Sequence, residues 1–381
     1  MSSVAIIIEY RNPLYMTGIN MAYTAPTDSV KSYSHVISAD YGFKSANFEI
    51  SMTEEDVNDW IDYGLGKDIM VYDGEGTNIW KGFVNKVSAS IGDRTYSVGP
   101  LMDVANRVTL IYTPIIESAT GGLILGVTQE YPMVQNTDSQ ALYGIIEKVI
   151  SGSNMFDSEA GLAANSYATE FGTPPKDESL SILQSNVPIV RIECLGYKEW
   201  LNAYAYNNTA ITLTYFHTKI QSVVNADPNN IFSHDYSEMV NNLSLTNDYE
   251  YENKTAYTIV DGITKMGDIA YNRWNVQVLE NNMIYYKSIP NLLEYYHPIK
   301  QGVPYIYSSA YAHIMPWNVR PGKWLMYTDV NIGTMPTSIL NSPLVKFVEE
   351  VTYTMPYGLS LSFSRFSTVR QLFQTLGIGS I

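Results

Sequence analysis

Residues 68–84 read DIMVYDGEGTNIWKGFV, and this stretch decides the local fold. Two apolar runs, 68–72 and 79–84, flank the polar residues 73–76, which include two glycines. An Asp-Gly turn between β-branched and aromatic residues is a strong hairpin signal, because glycine accepts the positive φ angles that such turns require. The stretch therefore predicts two antiparallel strands within a β-rich first segment.

One short helix is predicted ahead of this hairpin. Thr53 is followed by three acidic residues, and an N-cap hydroxyl with carboxylates in the first turn stabilises the positive end of a helix. Val57, Trp60 and Ile61 then share one face, and the helix is expected to stop at residues 63–66, YGLG, where glycine supplies a left-handed cap. Short strands with frequent glycine turns are typical of a small barrel or sandwich, so residues 1–115 are predicted to form one such domain.

The middle of the chain, residues 116–186, has a different pattern. Ser139 can cap a helix whose apolar residues recur at helical spacing up to Gly152. An alanine-rich helix is predicted from Asp157, and two prolines at 174–175 stop it. We expect an inserted helical subdomain at the surface of a β framework. The apolar residues of its first helix are Leu142, Ile145, Ile146, Val149 and Ile150.

Strands return from residue 187, where apolar and polar residues alternate over 190–194 in the manner of a half-buried strand. Thr255 is expected to cap another helix, and a second hairpin is predicted around 280–282. The second half of the chain is thus divided into two regions. Residues 187–298 contain strands, a helix and a hairpin, and residues 299–381 form the last region. The fold class is predicted as mainly β with α insertions (α+β). The last part is expected to hold strands within 324–328, 345–348 and 359–363 and an amphipathic segment at 369–376.

The composition excludes several classes of function. The 381 residues carry 23 basic and 38 acidic side chains, a formal net charge of −15, which excludes binding to nucleic acid or to membranes through a basic surface. No apolar stretch is long enough for a membrane helix, and the first residues lack the basic start of a signal peptide. We expect a soluble protein made in a reducing compartment. The 31 tyrosines and 15 methionines, with only 16% charged residues, fit either a surface rich in interfaces or an aromatic β protein, and the two are compatible.

Catalytic motifs are not found in the sequence. The five histidines are widely spaced, no serine lies in GxSxG, and no glycine-rich phosphate loop is present. Cys194 lies inside the predicted alternating strand, which favours a small buried side chain over a thiol nucleophile. The carboxylates at 54–56 and 349–350 have helix-capping or strand positions, and the Asp/Asn cluster at 225–229 does not match an EF-hand. We therefore expect no enzyme activity, no catalytic residue, no cofactor and no metal site.

The order of several short motifs resembles that of tailed-bacteriophage baseplate hub and tail-tip proteins. The similarity extends over nearly the whole chain, and its weight lies in the order of the pieces. For the first barrel the matching pieces are YGFKSA at 41–46, DWI at 59–61, GLGK at 64–67, VYD at 71–73 and WKGFV at 80–84. The insertion is matched by Ser139 with YGIIE at 143–147, and the second barrel by TA at 255–256, RWNV at 273–276, YYKSIP at 285–290, PGKW at 321–324, FVEEVTY at 347–353 and the closing residues 372–377.

This resemblance implies two small tail-tube-like β-barrel domains with an inserted helical subdomain. It implies a homotrimer that forms a pseudo-sixfold ring, joins the hexameric tail tube to a trimeric spike or central fibre, and lets DNA pass on ejection. The implied partners are other copies of the chain, a tail tube or distal tail protein, a spike or central fibre protein and the tape measure protein, with no specific nucleic-acid binding and no membrane anchor. The implied location is the virion tail, assembled in the host cytoplasm.

Four aromatic residues are predicted as subunit-interface residues of such a ring: Trp80 and Phe83 in the first half, and Trp324 and Tyr327 in the second. Packing inside their own barrels is the open alternative for each. Three other functions also remain open: a distal tail or tube protein that forms a hexamer, a glycan-binding or glycan-degrading receptor protein, and the hub of a cellular contractile injection particle. Exposed aromatic residues lining a groove with two carboxylates would favour the glycan alternative.

Overall fold

The computed structural model describes residues 6–16, 22–25, 29–38, 42–74, 76, 78–208, 214–215, 222–231, 244–245, 251–259, 276–280, 283–287, 305–307, 324–327, 344–355 and 358–363, which are the described residues below. The helices are α1 (Glu54–Tyr63), α2 (Thr137–Tyr143) and α3 (Asp157–Glu170), with short helical turns at 222–225 and 256–259 and 3-10 turns at Leu101–Asp103 and Tyr197–Ala203. The strands of the first half are β1 (Ile7–Arg11), β2 (Tyr23–Thr24), β3 (Val30–Ser38), β4 (Gly42–Ser51), β5 (Asp68–Tyr72), β6 (Asn78–Val98), β7 (Arg107–Tyr112), β8 (Ile115–Glu117), β9 (Leu123–Leu125), β10 (Gln129–Glu130), β11 (Val134–Gln135) and β12 (Glu147–Ser151). Those of the second half are β13 (Lys176–Leu195), β14 (Ala205–Asn208), β15 (Thr214–Tyr215), β16 (Ser244–Leu245), β17 (Tyr251–Thr255), β18 (Val276–Glu280), β19 (Met283–Lys287), β20 (Tyr305–Tyr307), β21 (Trp324–Tyr327), β22 (Leu344–Thr354) and β23 (Gly358–Phe363).

The body of the protein is one 11-stranded sheet, in the order β2-β1-β5-β6-β13-β4-β3-β22-β21-β20, with β23 paired to β22. The mainly β class is therefore confirmed, and the predicted hairpin is present as the antiparallel pair β5–β6, in which Asp68 faces Phe83. Within the described residues the sheet does not close into a barrel. The second predicted hairpin is also present, as the pair β18–β19.

The core is built on this sheet: β5 and the first half of β6 are buried on both faces, whereas β13 alternates between buried and exposed residues. Val190, Ile192 and Cys194 of β13 are buried, whereas Arg191 and Glu193 between them are exposed, as the alternation predicts. The largest fully buried side chains, each of which removes a wide apolar area from water, are Trp80, Trp200, Tyr33, Tyr112, Tyr197, Tyr204, Tyr353, Phe48 and Phe83.

Helix α1 begins as predicted. The Thr53 hydroxyl accepts a hydrogen bond from the Asp56 backbone N–H at 3.2 Å, and Val57 and Trp60 are buried against the sheet. A left-handed glycine is present within residues 63–66, as predicted: it is Gly66, with φ +76°, whereas Gly64, which directly follows the helix, has φ −76°. A side chain at Gly66 would also collide with the Tyr15 hydroxyl.

The insert is a second, smaller sheet, in which β7 pairs with β10, β11 and β12 and α3 packs against it. The alanine-rich helix is confirmed as α3, but a helix from Ser139 to residue 150 is wrong. The α2 helix ends at Tyr143, Gly144 has φ +74°, and β12 then pairs in parallel with β7. The segment with helical spacing therefore forms the helix α2 and then the strand β12, because its second half pairs with the free edge of β7.

Strand pairing departs from the predicted division of the chain at β13 and at β22. The boundary between 186 and 187 falls inside the continuous strand β13, whose first residues pair with the end of β6 and whose last residues pair with β4. The insert therefore ends before Lys176. The C-terminal strand β22, expected to complete a second barrel, instead joins the first-half sheet, where Glu350 faces Ser38 and Thr354 faces Ser34. Lys44 and Glu350 form an ion pair at 2.8 Å across this seam.

Several predictions lie outside the described residues. These are the amphipathic segment at 369–376 and the part of the predicted helix after residue 259, although residues 256–259 are helical. No helix of the described part is long and apolar enough to cross a membrane.

Candidate assembly surface

Exposed apolar side chains are concentrated in the insert. Of the fifteen large apolar side chains that the described residues expose, ten lie between Ile116 and Phe171. A soluble chain usually scatters such residues singly, and a concentration of them marks a surface that another molecule covers. The insert is therefore the candidate site of interaction.

The hairpin β8–β9 is the centre of this surface. Ile115 faces Leu125, Ile116 faces Ile124 and Glu117 faces Leu123. All three residues of β9 are exposed, Leu123 to 65%, and Val127 just after it is exposed to 86%. We call these residues, Ile116, Leu123, Ile124, Leu125 and Val127, the apolar hairpin.

The base of the apolar hairpin is held by hydrogen bonds. The Gly126 N–H donates to the Pro114 carbonyl at 2.8 Å, and the Ile115 N–H donates to the Met155 carbonyl at 2.9 Å. At the tip, the Ser118 N–H donates to the Gly122 carbonyl at 2.7 Å and closes the turn. The hairpin is thus preformed, which lowers the entropy that a partner must remove on binding.

A buried asparagine organises the rest of the insert. The Asn106 amide nitrogen donates to the Gly144 carbonyl at 2.7 Å and to the Ser139 hydroxyl at 3.1 Å, and its amide oxygen accepts from the Ile146 N–H at 2.8 Å. Ser139 in turn donates to the Gly172 carbonyl. The Asn106 side chain therefore joins the start of β7 to α2 and to the approach to β12, and Ser139 extends this network to the chain after α3.

Asn106 carried no signal in the sequence, because it belongs to no motif and its partners are 33 to 40 residues away. The exposed residues of the apolar hairpin were also missed. Their sequence, apolar and β-branched, is the same as that of a buried strand, and only the tertiary structure distinguishes the two.

The insert is attached to the body by a second set of polar contacts. The Asn229 amide oxygen accepts from the Ile145 N–H at 2.7 Å, and its nitrogen donates to the Ile145 carbonyl at 2.8 Å. Asp227 holds this turn by accepting from the N–H groups of Asn229 and Ile231, at 3.0 and 2.8 Å. Burial raises the pKa of Asp227 to about 6 and outweighs these hydrogen bonds, which act in the opposite direction.

The structure places the predicted interface residues elsewhere. Trp80 and Phe83 are buried in the core of their own chain, with Phe43 6.1 Å from Trp80 and Trp200 5.1 Å from Phe83, both between ring centres. Their assignment as interface residues is therefore corrected to packing within the chain, because neither exposes surface to a second subunit. Trp324 and Tyr327 lie on β21, and their side chains are outside the described part of the chain.

The chemical groups of the body do not converge on a reactive centre in the described residues. No group of three or more His, Cys, Asp or Glu side chains that could hold a metal ion is found there. Cys194 is buried, and burial raises the pKa of its thiol, which keeps it in the unreactive protonated form.

No protein-family model matches the chain, and no curated protein sequence is significantly similar to it. The functional argument therefore depends on the surface described above and on the physical properties of the chain.

Proposed function

We propose that this protein is a structural component of a phage tail tip or baseplate hub, which assembles through its exposed insert. The observation that carries the proposal is the apolar hairpin. A preformed two-stranded arm of exposed branched side chains costs free energy in a free subunit and is stabilised when a neighbour covers it.

The chemistry of the chain supports an assembly role. Its many tyrosines and methionines and its few charged residues match the composition of protein interfaces. The order of motifs along the chain resembles that of hub and tail-tip proteins. On this proposal three copies form a pseudo-sixfold ring, which joins the tail tube to a spike or central fibre, and the acidic charge suits a channel through which DNA passes.

The proposal is tested by mass and shape. Light scattering and negative-stain imaging are applied to the purified protein, alone and after mixing with a tail tube protein. Three chains of 42.8 kDa give about 128 kDa and six give about 257 kDa. We expect trimeric rings with a sixfold outline, whereas hexamers would favour a distal tail or tube protein.

A pair of variants links assembly to the apolar hairpin. Leu123→Asp places a charge on the exposed β9 strand, and we expect it to prevent ring formation while the subunit stays folded. Leu180→Asp is the matched control, because Leu180 is also an exposed leucine but lies outside the insert, on β13. A protein that remains monomeric with the tube protein, or rings that form equally well with Leu123→Asp, would contradict the proposal.

A further inference from the structure

A cleft of about 840 Å³ opens on the body, between the β1–β2 edge of the sheet and helix α1. Its volume is within the range of clefts that bind small molecules or short chains. It is separate from the apolar hairpin, none of whose residues lines it. Its walls carry aromatic rings on two sides and polar groups between them, and the chemistry of these groups defines what can bind.

Aromatic residues form the sides of the cleft. Tyr23 is stacked on Tyr10 at 5.6 Å between ring centres and is 51% exposed, so that one face of its ring is open. Tyr63, at the end of α1, is 67% exposed. Trp60 is buried behind them. The mouth of the cleft therefore offers two flat, partly apolar surfaces, supplied by two different elements of the fold.

The rings of Trp60 and Tyr10 already contact a cation of the protein itself, the ammonium of Lys67. The Lys67 ammonium lies 4.6 Å from the centre of the Trp60 ring and 5.4 Å from that of Tyr10. The Lys67 ammonium makes no hydrogen bond and no ion pair with another described residue, so its N–H groups are available to an acceptor in the cleft. A second cation at this place would be repelled.

Helix α1 supplies hydrogen-bond acceptors to the cleft. Asp56, Asp59 and Asp62 recur every third residue on α1 and all line the cleft. The Asp56 carboxylate accepts a hydrogen bond from the Thr53 hydroxyl, whereas the carboxylates of Asp59 and Asp62 have neither a hydrogen bond nor an ion pair within the described part of the chain. Ser51 also lines the cleft, and its buried hydroxyl oxygen has no hydrogen-bond partner among the residues that the structure describes.

The ligand must therefore donate hydrogen bonds to carboxylates, accept them from an ammonium and a hydroxyl, and place a flat apolar face against a tyrosine ring. Hydroxyl groups on a pyranose ring meet all three requirements, because each hydroxyl both donates and accepts and the ring carries a face of C–H groups. Carboxylates in excess over the single lysine disfavour an anionic ligand.

We propose that the cleft between β1–β2 and α1 binds a neutral saccharide chain, held between Tyr23 and Tyr63 with its hydroxyl groups on Asp59, Asp62, Lys67 and Ser51. This inference stands independently of the assembly proposal, since none of the five residues of the apolar hairpin lines the cleft.

The test measures binding of the full-length protein to soluble probes by saturation-transfer NMR and tryptophan fluorescence. The probes are neutral oligosaccharides (chitotriose, cellotriose, maltotriose and a printed panel of neutral glycans), the anionic trisaccharide trigalacturonate, and a hexa-arginine peptide. We expect saturable binding of a neutral oligosaccharide, weakened about tenfold by Tyr63→Ala and by Tyr23→Ala, each of which removes one stacking surface. Asp59→Asn, which keeps the shape but loses the charge, is expected to weaken binding to a smaller extent.

Two control variants match these changes outside the cleft. Tyr96→Ala removes a partly exposed tyrosine from β6, and Asp177→Asn removes an exposed carboxylate from β13; neither residue lines the cleft. Both are expected to leave binding unchanged, and thermal unfolding of every variant checks that it is folded. The proposal is overturned if no neutral glycan binds, if only hexa-arginine or trigalacturonate binds, or if Tyr23→Ala and Tyr63→Ala act no differently from Tyr96→Ala. Ring assembly measured on the same samples keeps this result distinct from that of the assembly proposal.

Discussion

The sheet body and the insert use their large apolar residues in opposite ways. In the body, tryptophan, tyrosine and phenylalanine side chains are buried between strands and the 3-10 turn Tyr197–Ala203. In the insert, α3 contributes small alanines to a small core, while leucine, isoleucine and valine of the apolar hairpin face outward. The comparison teaches that the two regions are stabilised differently: the body depends on the packing of large side chains, whereas the insert is held by hydrogen bonds and leaves apolar side chains uncovered.

The largest effect is expected from a change in the packing of the body. Trp80→Ala removes a fully buried indole, and we expect the free energy of unfolding to fall by about 3–5 kcal/mol, because a cavity adds to the lost transfer energy. Leu123→Ala in the apolar hairpin is the contrast, with an expected change within about 0.5 kcal/mol. Urea denaturation of the two variants measures both values. Equal losses would mean that the two regions do not differ in this way.

An intermediate effect is expected from the hydrogen-bond centre of the insert. Asn106→Ala removes three side-chain hydrogen bonds and leaves the buried Ile146 N–H without its acceptor, so we expect a local loss of about 2–4 kcal/mol. Hydrogen exchange should accelerate in β7 and β12 while β3 and β4 stay protected. Asn165→Ala is the control, because that amide bonds only to a carbonyl of its own helix. Uniform acceleration over both regions would show that insert and body unfold as one unit.

The smallest effect concerns the junction of the two regions and depends on pH. Because the pKa of Asp227 is raised to about 6 in the folded protein, the folded state binds more protons than the unfolded state between its usual pKa and this value. Stability therefore rises as the pH falls from 7 to 5, by about 1.3 kcal/mol from this group. The measurement is the difference in unfolding free energy between the protein and Asp227→Asn at the two pH values. If the two pH profiles are parallel, Asp227 does not control the junction.

Local features were predicted well from the sequence. The hairpin β5–β6, the Thr53 cap of α1 and the buried side of β13 with Cys194 each depend on residues close together in the chain. The residue types at these positions have few alternatives: an Asp-Gly turn between apolar runs and a hydroxyl before three acids each favour one local structure.

Features that depend on distant partners were not predictable in this way. The segment after Ser139 has helical spacing, but a side chain at Gly144 would approach Tyr15 and Asn229, and its positive φ ends α2. The segment that follows then becomes β12, because β7 offers it an edge. In the same manner β22 joins the first-half sheet through pairing with β3, some three hundred residues earlier in the chain.

The sequence by itself determined the mainly β class, the separate character of the insert, the hairpin signals and the acidic, interface-like composition, since each depends on residue type and short spacing. Only the tertiary structure decided that Trp80 and Phe83 are buried, that the apolar hairpin is exposed, and that Tyr23, Tyr63 and Lys67 meet at one cleft. The physical reason is that an apolar residue has the same propensity for a strand in a core as in an interface. Which of the two it occupies depends on what the rest of the fold covers.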